Sequence, residues 1–378
     1  MKKYDIYNFN HGCKIPWTIE TDSFRIIIDD LHCANLKKLE KNASTQFTLD
    51  ESFSPVVIEH DHKDGSFEVT GVIEVFDDKK SYLYEDEEGV GYIDDIVLVL
   101  SFVTGRKVFR KRDFNRYSTK YYNGDHLSLN QHTFRQIKEE NIRKISELGL
   151  NVQFINTVQS YSVNDLFSLA CYSSATLDVL SSSWSKRNGY SKYPNKNHIS
   201  RIRKLVCEKI SQSIITDAKN LFLKLLREEK TENEIYKDID VRLSNNSSPS
   251  ALYKLKKLFI SLGIYPSNDS IGNQEKLRWL NTVRNSVVHR GDLPKHRTMT
   301  KETLSDVVAN ITFLMLAIVQ LYYSKEVLKI SDVRSRQTEK SLKAYFMTGR
   351  FRGKDIFNET YKEYMDRIKS DWSQRKFI

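Results

Sequence analysis

The hydrophobic period of this chain changes once, near residue 130, and that change limits its fold more than any other feature. Before it, β-forming runs such as SFRIIIDD, SPVVIEH, SFEVTGVIEVF and SYLYEDEEGVGYIDDIVLVLSFVTG are separated by turn signals, KDG at 63 to 65 and EEG at 87 to 89. Apolar residues two apart share one face of a sheet, so this stretch predicts antiparallel hairpins. From HTFRQIKEENIRKISELGL, residues 132 to 150, apolar residues recur with helical spacing almost to the C-terminus. The predicted class is α+β: a β-rich N-terminal domain over 1–125 with a sensing or regulatory role, a helical connector over 126–160, a helical bundle over 161–330 and a basic helical tail over 331–378. A length of 378 residues suits two domains, and 39% hydrophobic with 11% aromatic residues suffices to build their cores.

Charge and cysteine usage narrow the partners and the compartment. Lys and Arg exceed Asp and Glu by 59 to 49, a net charge of +10, which favours a polyanionic partner, nucleic acid first. Cys13, Cys33, Cys171 and Cys207 form no CxxC pair, so the reading is buried free thiols in a reducing compartment. MKKYDIYNFNHG lacks an apolar region after its lysines, and ITFLMLAIVQLYY at 311 to 323 is too short to span a bilayer. A cytoplasmic protein with no membrane partner is expected.

One helical stretch, RWLNTVRNSVVHRGDLP at 278 to 294, carries groups that a packing helix does not need. With about 100° per residue, Leu277, Leu280, Val283, Val287 and Val288 form one apolar face, and Arg284 falls inside it, roughly 40° from Leu280. A guanidinium there needs a partner or a ligand, because an unpaired buried charge costs several kcal/mol. Asn285 and His289 are four apart on the adjoining flank, with Arg278 on the same line. Gly291 and Pro294 close the helix just after His289, where the last-turn carbonyls favour the protonated imidazole and neighbouring arginines oppose it.

A permanent cation, an amide and a titratable imidazole within about one and a half turns are the group types that cleave RNA without a metal. The 2′-hydroxyl attacks its own 3′-phosphate, the imidazole moves a proton, and the cation stabilises charge on phosphorus. Arg284, Asn285 and His289 resemble the signature of the HEPN ribonucleases, the higher eukaryote and prokaryote nucleotide-binding superfamily: R-x(4–6)-H with a polar residue directly after the Arg. The resemblance covers about 160 to 330. It implies a helical bundle that pairs as a homodimer, two motif helices facing one cleft to form a metal-independent endoribonuclease site with no cofactor. It further implies acid/base work for His289, phosphate and transition-state binding for Arg284, and positioning of the imidazole or phosphate by Asn285; Arg278 and Arg290, basic residues on the same stretch, are the expected substrate contacts beside them. Members of the family serve in toxin–antitoxin, CRISPR and abortive-infection systems, and a β-rich domain before such a bundle resembles ApeA-type defence proteins. The alternative expectation is a non-catalytic HEPN-like module that binds nucleotides or a partner.

Other constellations are weaker. His60 and His62 in HDHKDG suit either a polar hairpin tip or part of a metal site, and no third ligand can be named. Glu85 to Glu88 with Asp94 and Asp95 read as a solvated turn, with a regulatory contact to the basic half as the alternative. The basic run 106 to 116, with Arg110 and Arg112, can admit RNA or serve as an exposed linker. The tail after Ile330 sets Arg334, Arg336, Arg350, Arg352 and Lys354 near Tyr345, Phe346 and Phe351, either as stacking surface or as a helix packed through its aromatic edge. A long helix is predicted over 197 to 230, a loop over 244 to 250, and a core helix from Thr300 through ITFLMLAIVQLYY. The N-terminal domain is expected to hold a ligand or regulatory partner.

Overall fold

The computed structural model describes residues 1–9, 11–12, 15–41, 46–49, 55–58, 68–77, 79–84, 88–105, 107–111, 131–162, 166–190, 204–205, 249–266, 270–291, 301–331, 333–351 and 354–356. Two compact units emerge, one of Met1–Leu180 with Phe259–Ile378 and one of Ser181–Leu258. The HDHKDG histidines, the bodies of the 197–230 and 244–250 stretches, Cys13 and Cys207 lie outside the described residues.

The first unit opens with a four-stranded antiparallel sheet of order β1-β6-β3-β2, made of β1 (Lys2–Tyr7), β2 (Trp17–Glu20), β3 (Phe24–Ile28) and β6 (Val69–Val75). Alternation explains it. Trp17, Ile19, Phe24, Ile26, Ile28, Ile73 and Val75 all turn to the buried face. On the other face one register line carries Lys3, Glu74, Arg25 and Glu20, joined across all four strands at 2.7, 3.0 and 2.5 Å. A one-residue slip would set these charges into the core. β4 (Gln46–Leu49) and β5 (Pro55–Ile58) pair separately.

A Cβ on Gly71 of β6 would lie 2.8 Å from Ile28 Cδ1, 3.3 Å from Phe9 and 3.4 Å from Ile6, all buried. Gly71→Val is therefore expected to lower the unfolding free energy by about 1–3 kcal/mol through overpacking, seen as a reduced urea midpoint. An unchanged midpoint would show that these side chains can yield.

Two helices interrupt the β-rich region. α1 (Asp30–Lys41) starts where Asp29 Oδ1 accepts from the His32 N–H at 2.9 Å. α2 (Tyr92–Thr104) replaces the strand expected over YIDDIVLVLSFVT, and every residue from Tyr92 to Val103 is buried. Such an apolar run fits a buried strand or a buried helix equally, and its ends are compatible with a helix. Asp94 accepts from the Gly91 N–H at 2.9 Å, two carboxylates occupy the first turn, and Gly105 closes the helix at φ 67°.

Asp94 and Asp95 are thus buried rather than part of a solvated acidic turn, while Glu85 to Glu87 lie outside the described residues. Asp95 holds the 81–84 turn by accepting from Ser81 Oγ at 2.5 Å, Tyr82 N at 2.6 Å and Leu83 N at 3.3 Å. Burial pushes its carboxyl up to about 7 against those three hydrogen bonds. His11 is fully buried beside Phe9 and Trp17; burial, then the neighbouring His32, pushes its imidazole down to about 4.

These two groups oppose each other in acid. Below pH 6.5 the unfolded chain protonates His11 and the folded one does not, so that contribution is lost as pH falls towards 4. Asp95 works the other way: the folded chain keeps its proton above 3.8, and that contribution is lost as pH rises towards 7. Each amounts to about 3–4 kcal/mol over its window. In urea titrations between pH 4 and 6.5, His11→Phe is expected to lose stability with rising pH and Asp95→Asn with falling pH. Slopes of the same sign in both variants would overturn this assignment.

The helices follow as α3 (Gln131–Arg135), α4 (Glu139–Glu147), α5 (Asn151–Gln159), α6 (Leu166–Arg187), α7 (Ala251–Ser261), α8 (Ile271–Asn285), α9 (Lys301–Tyr322) and α10 (Val333–Thr348). The chain is α+β with a small N-terminal sheet and a mostly helical remainder, and helix already appears at Asp30–Lys41 and Tyr92–Thr104 rather than only after residue 130. α9 supplies much of the core, with Val307, Ile311, Leu314, Met315, Ile318 and Val319 all buried. Phe102 of α2, Phe154 of α5 and Tyr323 just past α9 meet as a ring cluster, with centroids 4.9 to 5.9 Å apart. The sheet-bearing region and the late helices therefore share one core.

Asp306–Val327 is longer than the run noted in the sequence and is long and apolar enough to cross a membrane, with 67% of that stretch buried inside the protein. In the tail, Tyr345, Phe346 and Phe351 are core residues rather than stacking surfaces. Tyr345 Oη donates to Lys276 O at 2.9 Å while Lys276 Nζ donates to Phe346 O at 2.7 Å, clasping α10 to α8.

Candidate functional site

α8 begins at Ser270, whose side chain accepts from the Asn273 N–H at 3.2 Å. Leu277, Trp279, Leu280 and Val283 are buried along it, and Val287 continues the face into the next turn. Arg284 lies within this face, only 8% exposed. Val288, expected on the same face, is 39% exposed.

Among the described residues Arg284 has two partners. Its Nη1 donates to Asn285 Oδ1 at 2.6 Å, and its Nη2 meets Asp178 Oδ1 of α6 in a short ion pair. Its Nε is buried and has no hydrogen-bond partner among the described residues. Ser174, one turn before Asp178, places its Oγ 3.6 Å from Met315 Sδ, so this face of α6 packs on α9. The pair is lopsided: the Arg284 side chain is 9% exposed and that of Asp178 33%, so water reaches the carboxylate but hardly the guanidinium.

Asp178 was missed in the sequence because its contact spans 106 residues. A signal did exist. From Leu166 to Ser185 Asp178 is the sole charged residue, and a lone charge in an apolar and small-residue helix asks for a partner.

After Asn285 the helix widens into a π-turn, Ser286–Arg290, and Gly291 ends it at φ 64° with its N–H on Val287 O at 3.2 Å. The β-branched valines and the glycine stop give the backbone reason to slip one hydrogen bond there. Five steps of an ideal α-helix leave positions 284 and 289 about 140° apart; i→i+5 bonding puts more residues in each turn and draws the two positions towards one side. The expected misfit between Arg284 and His289 is thereby reduced in the backbone. For His289 and Arg290 the structure describes the backbone alone.

The other sequence-derived candidates stand apart from this cluster. Arg278 is half-exposed on α8, 3.3 Å from Glu275. Arg110 faces inward: its Nη2 lies 2.7 Å from Asp94 Oδ1, its guanidinium is over the Tyr4 ring at 5.5 Å, and its side chain is 12% exposed. It is therefore not a displayed phosphate contact. Arg112 lies outside the described residues. Among the described residues no group of three or more His, Cys, Asp or Glu could hold a metal ion. Cys33 is buried, with its thiol pushed up by that burial, and Cys171 is half-buried; neither forms a disulfide among the described residues.

Comparison with protein-family models, with curated proteins and with solved structures returned no match for this chain. The reading of the site therefore rests on its own chemistry.

Proposed function

We propose that the chain is a metal-independent endoribonuclease of the HEPN type, with Arg284, Asn285 and His289 as its site, acting in the cytoplasm in phage defence or as a toxin. The observation that carries this reading is Arg284 itself: a guanidinium on the packing face of α8, bonded to the next residue's amide, at the start of the π-turn that holds His289. Backbone π-turns cost regular hydrogen bonding and recur at functional sites. In this reading RNA binds across two copies of the chain. His289 moves the proton of the attacking or leaving oxygen, Arg284 offsets charge on phosphorus, and Asn285 fixes the guanidinium.

A second reading has one observation of its own. Asp178 satisfies Arg284 within a single chain, as in a structural ion pair, and this favours a non-catalytic module that binds nucleotides or a partner. Incubating single-stranded RNA with the wild type and with His289→Ala, each with and without EDTA, separates the two. Cleavage that survives EDTA and is lost in the variant supports the nuclease; equal cleavage by both proteins, or none by the wild type, favours the module.

A further inference from the structure

We infer that the second compact unit, Ser181–Leu258, is a binding module for single-stranded RNA. The positive charge of the protein is concentrated there. Of the 59 Lys and Arg and 49 Asp and Glu of the chain, this segment holds 17 and 8, a net of +9 against +10 for the whole. The rest of the chain is nearly neutral, so the polyanion preference belongs to this unit. Its described residues include six cations, Lys186, Arg187, Lys204, Lys254, Lys256 and Lys257, and no Asp or Glu.

Aromatic rings stand among these cations. Tyr190 stacks on the buried Trp184, with centroids 5.5 Å and planes 7° apart. Lys257 Nζ lies 5.3 Å over the Tyr190 ring and 5.5 Å over the Tyr253 ring, so one ammonium is bracketed by two phenols, both partly exposed. Tyr253, Lys254 and Lys257 share a stripe of α7 through their spacing of three and four.

Cations that meet phosphates beside rings on which bases stack are what a single strand requires. The cation–π contacts hold Lys257 in place before a phosphate arrives, which lowers the ordering cost of binding. An anionic membrane would need apolar anchors beside the charge. Here Trp184 is buried, and among the described residues of the unit Leu205 is the one large apolar side chain that is exposed. Binding of this kind is independent of the chemistry around Arg284.

The test is fluorescence anisotropy of the full chain with a labelled oligouridylate carrying 2′-O-methyl groups, which has no 2′-hydroxyl to attack and so stays intact. The wild type is expected to bind with a strong dependence on salt between about 50 and 200 mM. Lys254→Gln with Lys257→Gln should weaken binding about tenfold and flatten the log–log salt slope by about 1.4, two single-strand phosphate contacts. Tyr190→Leu with Tyr253→Leu removes the stacking surface for one base, since Tyr190 is already stacked on Trp184, and should weaken binding about five- to hundredfold with little change of slope. Both double variants must keep the wild-type circular dichroism; otherwise the single variants Lys254→Gln and Tyr253→Leu are scored instead. No binding by the wild type, or unchanged affinity in the folded variants, overturns the inference. So does loss of binding to phosphatidylserine vesicles with RNA affinity intact. If the wild type cleaves no RNA but its binding falls in these variants, the nuclease reading fails and this one stands.

Discussion

Alanine in place of His289 is expected to lower RNA cleavage by about 10²–10⁴-fold, the usual contribution of a positioned acid or base. The loss should fall on kcat, with KM little changed, because proton transfer occurs in the transition state and not in the bound ground state. Arg284→Ala is expected to lose about 10²–10³-fold through the missing charge on phosphorus. The two losses should not add when combined, since both residues serve one transition state. Neither rate should respond to EDTA. Inhibition of the wild type by EDTA would sink this mechanism, as would a His289→Ala enzyme of wild-type kcat.

Removal of the Arg284 partner is the second large effect expected. Asp178→Ala leaves a guanidinium that is 8% exposed without its counter-charge. Breaking a fully buried pair costs about 3–5 kcal/mol, and the one-third exposure of the Asp178 carboxylate brings the expectation to about 2–3 kcal/mol. The urea midpoint should fall accordingly. Asp178→Leu combined with Arg284→Met should recover most of the loss, because apolar groups of similar size remove both charges at once. If Asp178→Ala unfolds at the wild-type midpoint, the ion pair contributes nothing to the fold; if the double variant is less stable than either single one, the site does not tolerate apolar replacement.

Asp178 and Arg284 also mark the limit of reading this chain from its sequence. The wheel placed Arg284 on a buried face and demanded a partner, and burial at 8% bears that out. Which partner it takes depends on α6 lying beside α8, a contact that no local pattern encodes. The Arg110 side chain shows the converse. A dense basic run looked like a surface, but the bridge between Tyr7 and Phe109 ties the segment to β1 and the Asp94 carboxylate takes the guanidinium.

By itself the sequence determined the α+β class, the alternation of β3, and the end of the motif helix at Gly291. All of these follow from local periodicity or from the backbone freedom of one residue type. Only the tertiary structure decided that Tyr92–Thr104 is a helix, that the Tyr345 and Phe346 rings belong to the core, and that Asp178 meets Arg284. Each of these turns on what an apolar run or a charge packs against. That is a property of neighbours distant in sequence, and a fully apolar stretch has no phase from which to infer it.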